Sequence, residues 1–482
     1  MSLSLKQKIF SGIFWQGLDR IGCQGLQFIV SVILARLLMP EEFGLIAIIS
    51  VFINFGQVFV DSGFSAALIQ KKDSDNLDCN SVFYINIVMA LLLYWMIFLL
   101  APMIADFYHK SEMAVCLRIL ALGMVIRSFS LVQLTLLNKS MLFYLNCRIS
   151  WTALIASGII GIWLAYKAYG VWALIVQSLV HSTVSSILLC FFVKWRPQFT
   201  FDWQRIVGLF RFGWKIFCSS ILDSLYNNLY TILIGRLFDL KVLSFYQRGR
   251  SIPMLGMGII NSTIGTVIFP AFSQLQHDRK KMRILAEKSL KSVMFFVIPV
   301  LGMLFVVAEP LVRILFTEKW LPCVIFIQLS CIIAVFWPLH TLNLQIITAC
   351  GRSDLFLLLE IIKKIQVVII ILLTYKHGVL AMVVGLVISA PLSFIENSFF
   401  NYKLINYSCI KQIKTLFPLI VVGMITSLSS WLIVDFLHNS WCKLLVGGSC
   451  FGVIFLLLCS ILNIIPEELL TVIYKRKLIK NV

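Results

Sequence analysis

From Val82 to Ala105 the chain runs without one Asp, Glu, Lys or Arg. That is enough for a helix to cross the hydrocarbon core of a bilayer, which takes ~20 predominantly apolar residues. Leu444 to Ile465 repeats the feature, and Leu290 to Val307 does so with one lysine near its start. A water-soluble chain could not hide so many segments of this kind. Of its 482 residues 60% are hydrophobic and 13% charged, where soluble domains carry about 25% charged residues.

The formal charge of +19 does not mark a nucleic-acid binder, which would cluster its Lys and Arg on one polar face. Here the basic residues stand in short loops between apolar runs. The densest group is Arg279-Lys280-Lys281-Met282-Arg283, followed by Lys288 and Lys291. With the N-terminus inside, the basic segments fall mainly on the cytoplasmic side, as the positive-inside rule requires. They are topology signals that also attract anionic lipid headgroups. Lys6 and Lys8 precede a long apolar stretch with no small-residue cleavage site, so the first helix is expected to be retained. The 13 cysteines are scattered singly without a C-x-x-C pair, which supports neither a disulfide framework nor a zinc site.

Dividing the chain at its polar breaks gives an all-α polytopic membrane protein of about 14 transmembrane helices, near 10–36, 43–69, 80–105, 114–137, 147–166, 170–193, 210–237, 245–273, 289–315, 321–349, 355–375, 378–400, 413–437 and 441–465. An even number returns the C-terminal Lys475-Arg476-Lys477 to the side of the N-terminus. A repeat appears at an offset of about 200–213 residues. Leu34-Ala35-Arg36-Leu37-Leu38 answers Ile234-Gly235-Arg236-Leu237-Phe238, Ala101-Pro102 answers Glu309-Pro310, and Gly170-Val171-Trp172 answers Gly378-Val379-Leu380. The expected organisation is two parallel six-helix lobes, 1–200 and 201–405, followed by a helix pair with a basic cytoplasmic tail, 406–482. Transporters built this way place substrate at the repeat interface and alternate its access.

A polar residue in a spanning helix faces a partner or an aqueous cavity. Gln16, Arg20, Gln24 and Gln27 form one stripe on the first helix, with Asp19 at its edge. Asn54, Gln57 and Asp61 repeat the pattern on the second. The first helix of the second lobe carries Ser219, Asp223, Asn227 and Tyr230 on one face, with Lys215 a turn earlier. Such stripes are expected to line a central cleft. Arg20 and Lys215 would offer charge to a diphosphate, while amides and tyrosine suit sugar hydroxyls. Arg248 and Arg250 precede the apolar start of the eighth helix, where they either attract phosphate or snorkel. Arg127 stands well inside the fourth helix, with the same two readings. Glu360, Lys363 and Lys364 have the i, i+3 and i+4 spacing of an internal ion pair. Trp195, Trp203, Trp320 and Trp441 read as interface anchors.

Nothing points to catalysis. Asp73-Ser74-Asp75 resembles the D-x-D of metal-dependent sugar transferases, but it lies in a short connection. The sequence has no G-x-x-x-x-G-K-[ST] loop and no H-E-x-x-H. No cofactor, metal or nucleic acid is expected.

The N-terminal third resembles the colanic-acid type of Wzx flippases, in the polysaccharide transporter branch of the multidrug/oligosaccharidyl-lipid/polysaccharide exporter superfamily. The resemblance rests on Leu34-Ala35-Arg36-Leu37-Leu38-Met39-Pro40-Glu41-Glu42-Phe43-Gly44-Leu45 and on Asp61-Ser62-Gly63-Phe64 leading to Ala67-Leu68-Ile69-Gln70. Ala101-Pro102-Met103-Ile104-Ala105, Gly170-Val171-Trp172-Ala173-Leu174, Trp195-Arg196-Pro197 and Phe269-Pro270 extend it. It implies flipping of polyprenyl-diphosphate-linked oligosaccharide across the bacterial inner membrane for O-antigen and other lipopolysaccharide, exopolysaccharide or capsule. Arg20 and Asp61 stand where the family pattern has such residues, whereas Tyr144 replaces its frequent lysine. The implied partners are the lipid-linked sugar, membrane lipids, a coupling proton or sodium ion, and polysaccharide assembly proteins. The alternatives are a drug/cation antiporter of the same superfamily, against which Arg20 and Lys215 argue, and a membrane-embedded sugar polymerase or ligase, which would need a large outer loop.

Overall fold

The computed structural model describes the backbone of residues 5–466, with side chains throughout except at 5–14, 16, 20, 259, 262, 263, 266 and 267. The basic tail at 475–477 therefore lies outside the described residues. Among these residues every regular element is helical, and helix occupies each of the intervals read from the sequence. Among the described residues ten helices are long and apolar enough to cross a membrane, or eleven if one bent pair counts as a single span. Three more long helices fall in expected spans but outside that set: α9, α10 and α15, whose ranges follow. All three carry charge, including Lys215 and Asp223, Arg248 and Arg250, and Glu360 and Lys363.

The chain forms two compact units, 1–244 and 245–482. The first contains α1 (Leu5–Leu37), α2 (Pro40–Asp61), α3 (Phe64–Gln70), α4 (Asn76–Phe107), α5 (Glu112–Ser128), α6 (Leu131–Lys139), α7 (Phe143–Tyr166), α8 (Val171–Phe192) and α9 (Trp203–Leu237). Here α7 packs on α1 and α8, α5 on α4 and α8, and α2 on α4, α5 and α9. On α4, Trp95, Leu99 and Met103 are 56%, 70% and 68% exposed, while Ile97 and Ala101 on another face are buried. An apolar stripe turned outward is what a lipid solvent favours and water does not.

Pro40 opens α2 at a position where its missing N–H costs nothing. Glu42 accepts a hydrogen bond from the Met39 N–H at 2.7 Å. After Asp61 the chain turns through Ser62 (φ 46°) and Gly63 (φ 77°). The Ser65 N–H, at 3.2 Å, and the Ser65 hydroxyl both donate to the Asp61 carboxylate, which starts α3. Glycine is required at 63 twice over. Its backbone is left-handed, and a Cβ there would overlap the Gly213 carbonyl, as one at 213 would come 2.9 Å from the Gly63 oxygen.

The α3–α4 connection is held by charge. Asp78, fully buried, receives Lys71 Nζ at 2.6 and 2.8 Å and Arg205 at 3.3 Å. Asp75 and Asp78 cap the start of α4 reciprocally, each carboxylate accepting from the other's N–H. Asp73-Ser74-Asp75 thus belongs to a helix start. Lys139 donates to the carbonyls of Leu68, in the last turn of α3, and of Lys71, just past its end.

The second unit follows within α10 (Leu240–Thr263) and contains α11 (Phe269–Gln274), α12 (Arg279–Val306), α13 (Ala308–Phe316), α14 (Val324–Ala349), α15 (Ser353–Thr374), α16 (Val379–Ile405), α17 (Cys409–Asp435) and α18 (Ser440–Ile461). Its core packs α12 and α16 against α14, and α17 against α12 and α18. A buried amide cluster ties three of these helices. Asn343 and Gln412 exchange hydrogen bonds at 3.0 Å, and Asn401 donates to Asn343 at 2.7 Å. Of the lysines expected to pair with Glu360, Lys363 reaches it at 3.2 Å. Trp320 departs from expectation. It is fully buried, with Phe245 5.9 Å away and the Arg248 guanidinium 5.1 Å from its ring. An aromatic beneath a stacked cation completes a core and leaves no ring for the membrane interface.

Candidate functional site

The polar stripe of α1 leads into a cavity of about 850 Å³ inside the first unit. Asp19, Gln24 and Gln27 line it from α1, and Asn54 from α2. Asn146 and Ser150 on α7, Gln177 and His181 on α8, and Arg127 at the end of α5 complete its polar wall. Small residues let the walls close: a Cβ at Gly22 would overlap the Trp151 ring, and one at Gly158 would lie 2.8 Å from Val30. Both contacts join α1 to α7.

Arg127 reaches the cavity because its helix is broken. α5 and α6 meet at an angle of 46°, and the break at 129–130 interrupts the backbone ladder. Freed carbonyls inside a membrane need donors. Ser130 N–H donates to the Arg127 carbonyl at 3.0 Å, and Ser186 of α8 donates to that of Ile126 at 3.2 Å. The two serine hydroxyls meet at 2.8 Å. The bend is therefore pinned by a neighbouring helix, a recurrent way of tolerating non-helical backbone at depth.

Of the cavity's polar groups, Asp19 has protein partners, accepting from Asn146 Nδ2 at 3.3 Å and from the Cys23 thiol at 3.2 Å. Among the described residues, the side chains of Gln24, Gln27, Asn54, Gln177 and Arg127 make no hydrogen bond to protein. Their donors and acceptors are available to whatever fills the space.

Asp19, Gln24, Gln27 and Asn54 thus come together, and the other expected site residues whose side chains are described lie elsewhere. Gln57, one turn past Asn54, is outside the lining, and its Oε1 is buried without a hydrogen-bond partner. Asp61 starts α3. Lys215, Asp223 and Asn227 are exposed on α9, and Tyr230 is buried. Arg248 stacks over Phe316 at 5.0 Å as well as over Trp320. Arg250 lies partly exposed two residues on. The Gln16 and Arg20 side chains lie outside the described residues. Sequence reasoning passed over Asn146, Ser150, Gln177 and His181, although each pair is spaced by four residues on one helix face. The second unit contributes a different space, an apolar groove of about 670 Å³ among α12, α14 and α17, with Phe305, Val335 and Leu428 in its walls.

Residues 33–325 match the sequence profile of a family described as polysaccharide biosynthesis protein. The chain is 25% identical over 406 residues to the lipopolysaccharide biosynthesis protein WzxC of Escherichia coli (strain K12), covering 83% of this chain and 81% of that one. It is 25% identical over 355 residues to the teichuronic acid biosynthesis protein TuaB of Bacillus subtilis (strain 168), covering 73% of each. In fold it is similar to the lipid II flippase MurJ in an inward closed conformation, with a TM-score of 0.76, 15% identity, and coverage of 93% of this chain and 98% of that one. The profile match takes in more than half of the chain, and the protein belongs to the polysaccharide biosynthesis protein family.

Proposed function

We propose that this protein is a flippase that carries a polyprenyl-diphosphate-linked oligosaccharide from the cytoplasmic to the periplasmic leaflet of the bacterial inner membrane, for O-antigen, exopolysaccharide or capsule synthesis. One observation carries the reading: a cavity of unpaired amides lies inside a membrane-spanning unit of a polysaccharide biosynthesis protein. Amides and hydroxyls that both donate and accept match sugar hydroxyls. An organic-cation antiporter would be better served by acids, yet Asp19 is the only acid lining this cavity among the described residues. The apolar groove of the second unit is chemically suited to a prenyl chain.

In this reading the protein is a transporter and not an enzyme. The lobes 1–200 and 201–405 alternate access, 406–482 adds the helix pair, and both termini are cytoplasmic. Arg20, Lys215, Arg248 and Arg250 are the cations offered to diphosphate, while Gln16, Gln57, Asn227 and Tyr230 extend the sugar-binding set. A proton or sodium gradient supplies direction through Asp61 or Asp223, and assembly proteins consume the delivered glycan. The test is reconstitution in liposomes with a lipid-linked oligosaccharide, following its exposure to a membrane-impermeant glycosidase on the far leaflet. Export of organic cations without movement of the glycan would overturn the assignment in favour of the antiporter.

A further inference from the structure

Between α8 and α9 the chain runs without helix from Val193 to Asp202, and this strap is fastened to the start of α4. The fully buried Asn80 accepts the Gln198 N–H at 3.2 Å and donates to Thr200 Oγ1 at 2.7 Å, and the fully buried Ser81 accepts the Asp202 N–H at 3.0 Å. Trp195 turns inward, edge-on to Phe83 with ring centroids 5.8 Å apart. The aromatics that follow do the reverse: Phe199 is 99% exposed, and Phe201 and Trp203 are exposed as well. A backbone pinned by buried side chains while it holds apolar rings outward presents a surface to an apolar partner.

Phe199 stacks on Tyr84 of α4 with centroids 6.2 Å apart. Beside this pair opens a crevice of about 370 Å³ lined by Tyr84, Ile85, Val88, Phe199, Thr200 and Phe201. Val88 begins the exposed stripe that continues through Leu92, Trp95 and Leu99. From Val88 to Leu99 the helix rises about 16 Å, close to half of the ~30 Å hydrocarbon core and so to the depth of one leaflet. Charge stands at the strap end of this apolar track. Between Val193 and Phe201 lie Lys194 and Arg196, both exposed, and no acid. Arg196 turns Nη1 back to the carbonyls of Val193 and Trp195, which orients the guanidinium, and among the described residues its Nε and Nη2 make no hydrogen bond.

We propose that the strap and α4 form a site for one anionic glycerophospholipid of the surrounding bilayer, with an acyl chain in the crevice and along the α4 stripe and its phosphate at Lys194 and Arg196. The crevice shares no residue with the lining of the polar cavity. Its occupant is a resident lipid and not the cargo, and the site is independent of what the cavity carries. A basic side chain at the headgroup level favours an anionic over a zwitterionic lipid by about 5-fold.

The test supplies delipidated full-length protein in detergent with phosphatidylglycerol or phosphatidylethanolamine of the same acyl chains and counts the retained lipids by native mass spectrometry. The wild type is expected to keep one phosphatidylglycerol in preference to phosphatidylethanolamine. Lys194→Gln and Arg196→Gln should each weaken that preference about 5-fold, and together about 25-fold. Phe199→Ala combined with Phe201→Ala should lose both lipids, whereas Phe436→Ala, which removes an exposed aromatic at the end of α17, should lose neither. Unchanged melting in lipid-free detergent shows that the variants are folded. Should the aromatic double variant fail to fold, the two charge variants, which alter only exposed side chains, decide the question. Equal retention of the two lipids by the wild type, or a loss in Phe436→Ala as large as that at the crevice, would overturn the proposal. So would displacement of the retained lipid by a polyprenyl diphosphate, or a dimer that Phe199→Ala abolishes, because the occupant would then be the cargo or a second copy of the chain.

Discussion

Replacing Asp78 by alanine removes a fully buried carboxylate that meets Lys71 at 2.6 and 2.8 Å, Arg205 at 3.3 Å and the Asp75 N–H at 3.2 Å. Breaking a buried ion pair from one side costs about 3–5 kcal/mol when the surviving charge stays buried. Here the surviving side chains, Lys71 and Arg205, are 33% and 37% exposed. They can turn partly to solvent, which reduces the penalty to about 2–3 kcal/mol. For a folding unit of this size that corresponds to a fall in melting temperature of about 4–12 °C, readable by tryptophan fluorescence in detergent. Lys71→Ala should cost less, because Arg205 and the Asp75 N–H still meet the carboxylate. The double variant should be more stable than the sum of the single losses predicts, by about 1 kcal/mol or more. If Asp78→Ala melts within about 1 °C of the wild type, or if the two losses simply add, the charge cluster does not hold the start of α4 as described.

Gly63→Ala is expected to destabilise by more than about 2 kcal/mol through positive φ and overlap with Gly213. Gly25, inside α1, where an added methyl would meet nothing within 4 Å, provides a control free of overlap, and equal melting of the two alanine variants would contradict the contact. Gln412→Ala leaves Asn343 Nδ2 buried without its acceptor, a loss of about 1–3 kcal/mol in the same assay; an unchanged midpoint would remove the amide cluster from the core's stability. Asp75 and Asp278 are held below the ordinary carboxylate range, chiefly by hydrogen bonds from the backbone N–H groups of Asp78 and Lys281. A depressed folded-state pKa means that their stabilisation is present above the unfolded value, near 3.9, and is lost as pH falls through the lowered one. Melting temperature should therefore decline below about pH 4, and Asp75→Asn combined with Asp278→Asn should flatten that decline.

The spanning helices were legible because length and apolarity are local properties, written in each segment by itself. The stripe on α1 was legible for the same reason: Gln24 and Gln27 among Phe28, Ile29 and Val30 have few uses except in a cavity. The walls contributed by α7 and α8 were harder to read. Serine in a membrane helix commonly bonds to its own preceding turn, as Ser182 does to the Ser178 carbonyl at 3.0 Å, so its presence alone does not announce a polar face. Arg127 drew notice in the sequence, but its lack of partners depends on the break at 129–130 and on what α8 brings opposite. The side-chain partners of Arg248 were equally invisible, since Phe316 and Trp320 lie about 70 residues further on. Charge at a helix end reads alike whether it seeks phosphate, water or an aromatic ring.

The backbone contact between Gly63 and Gly213 has a mechanical meaning. Two main chains that touch with no side chain between them have nothing soft to compress. The joint is a rigid spacer: it fixes how near the α2–α3 turn can come to α9, at a distance that no change of rotamer can alter.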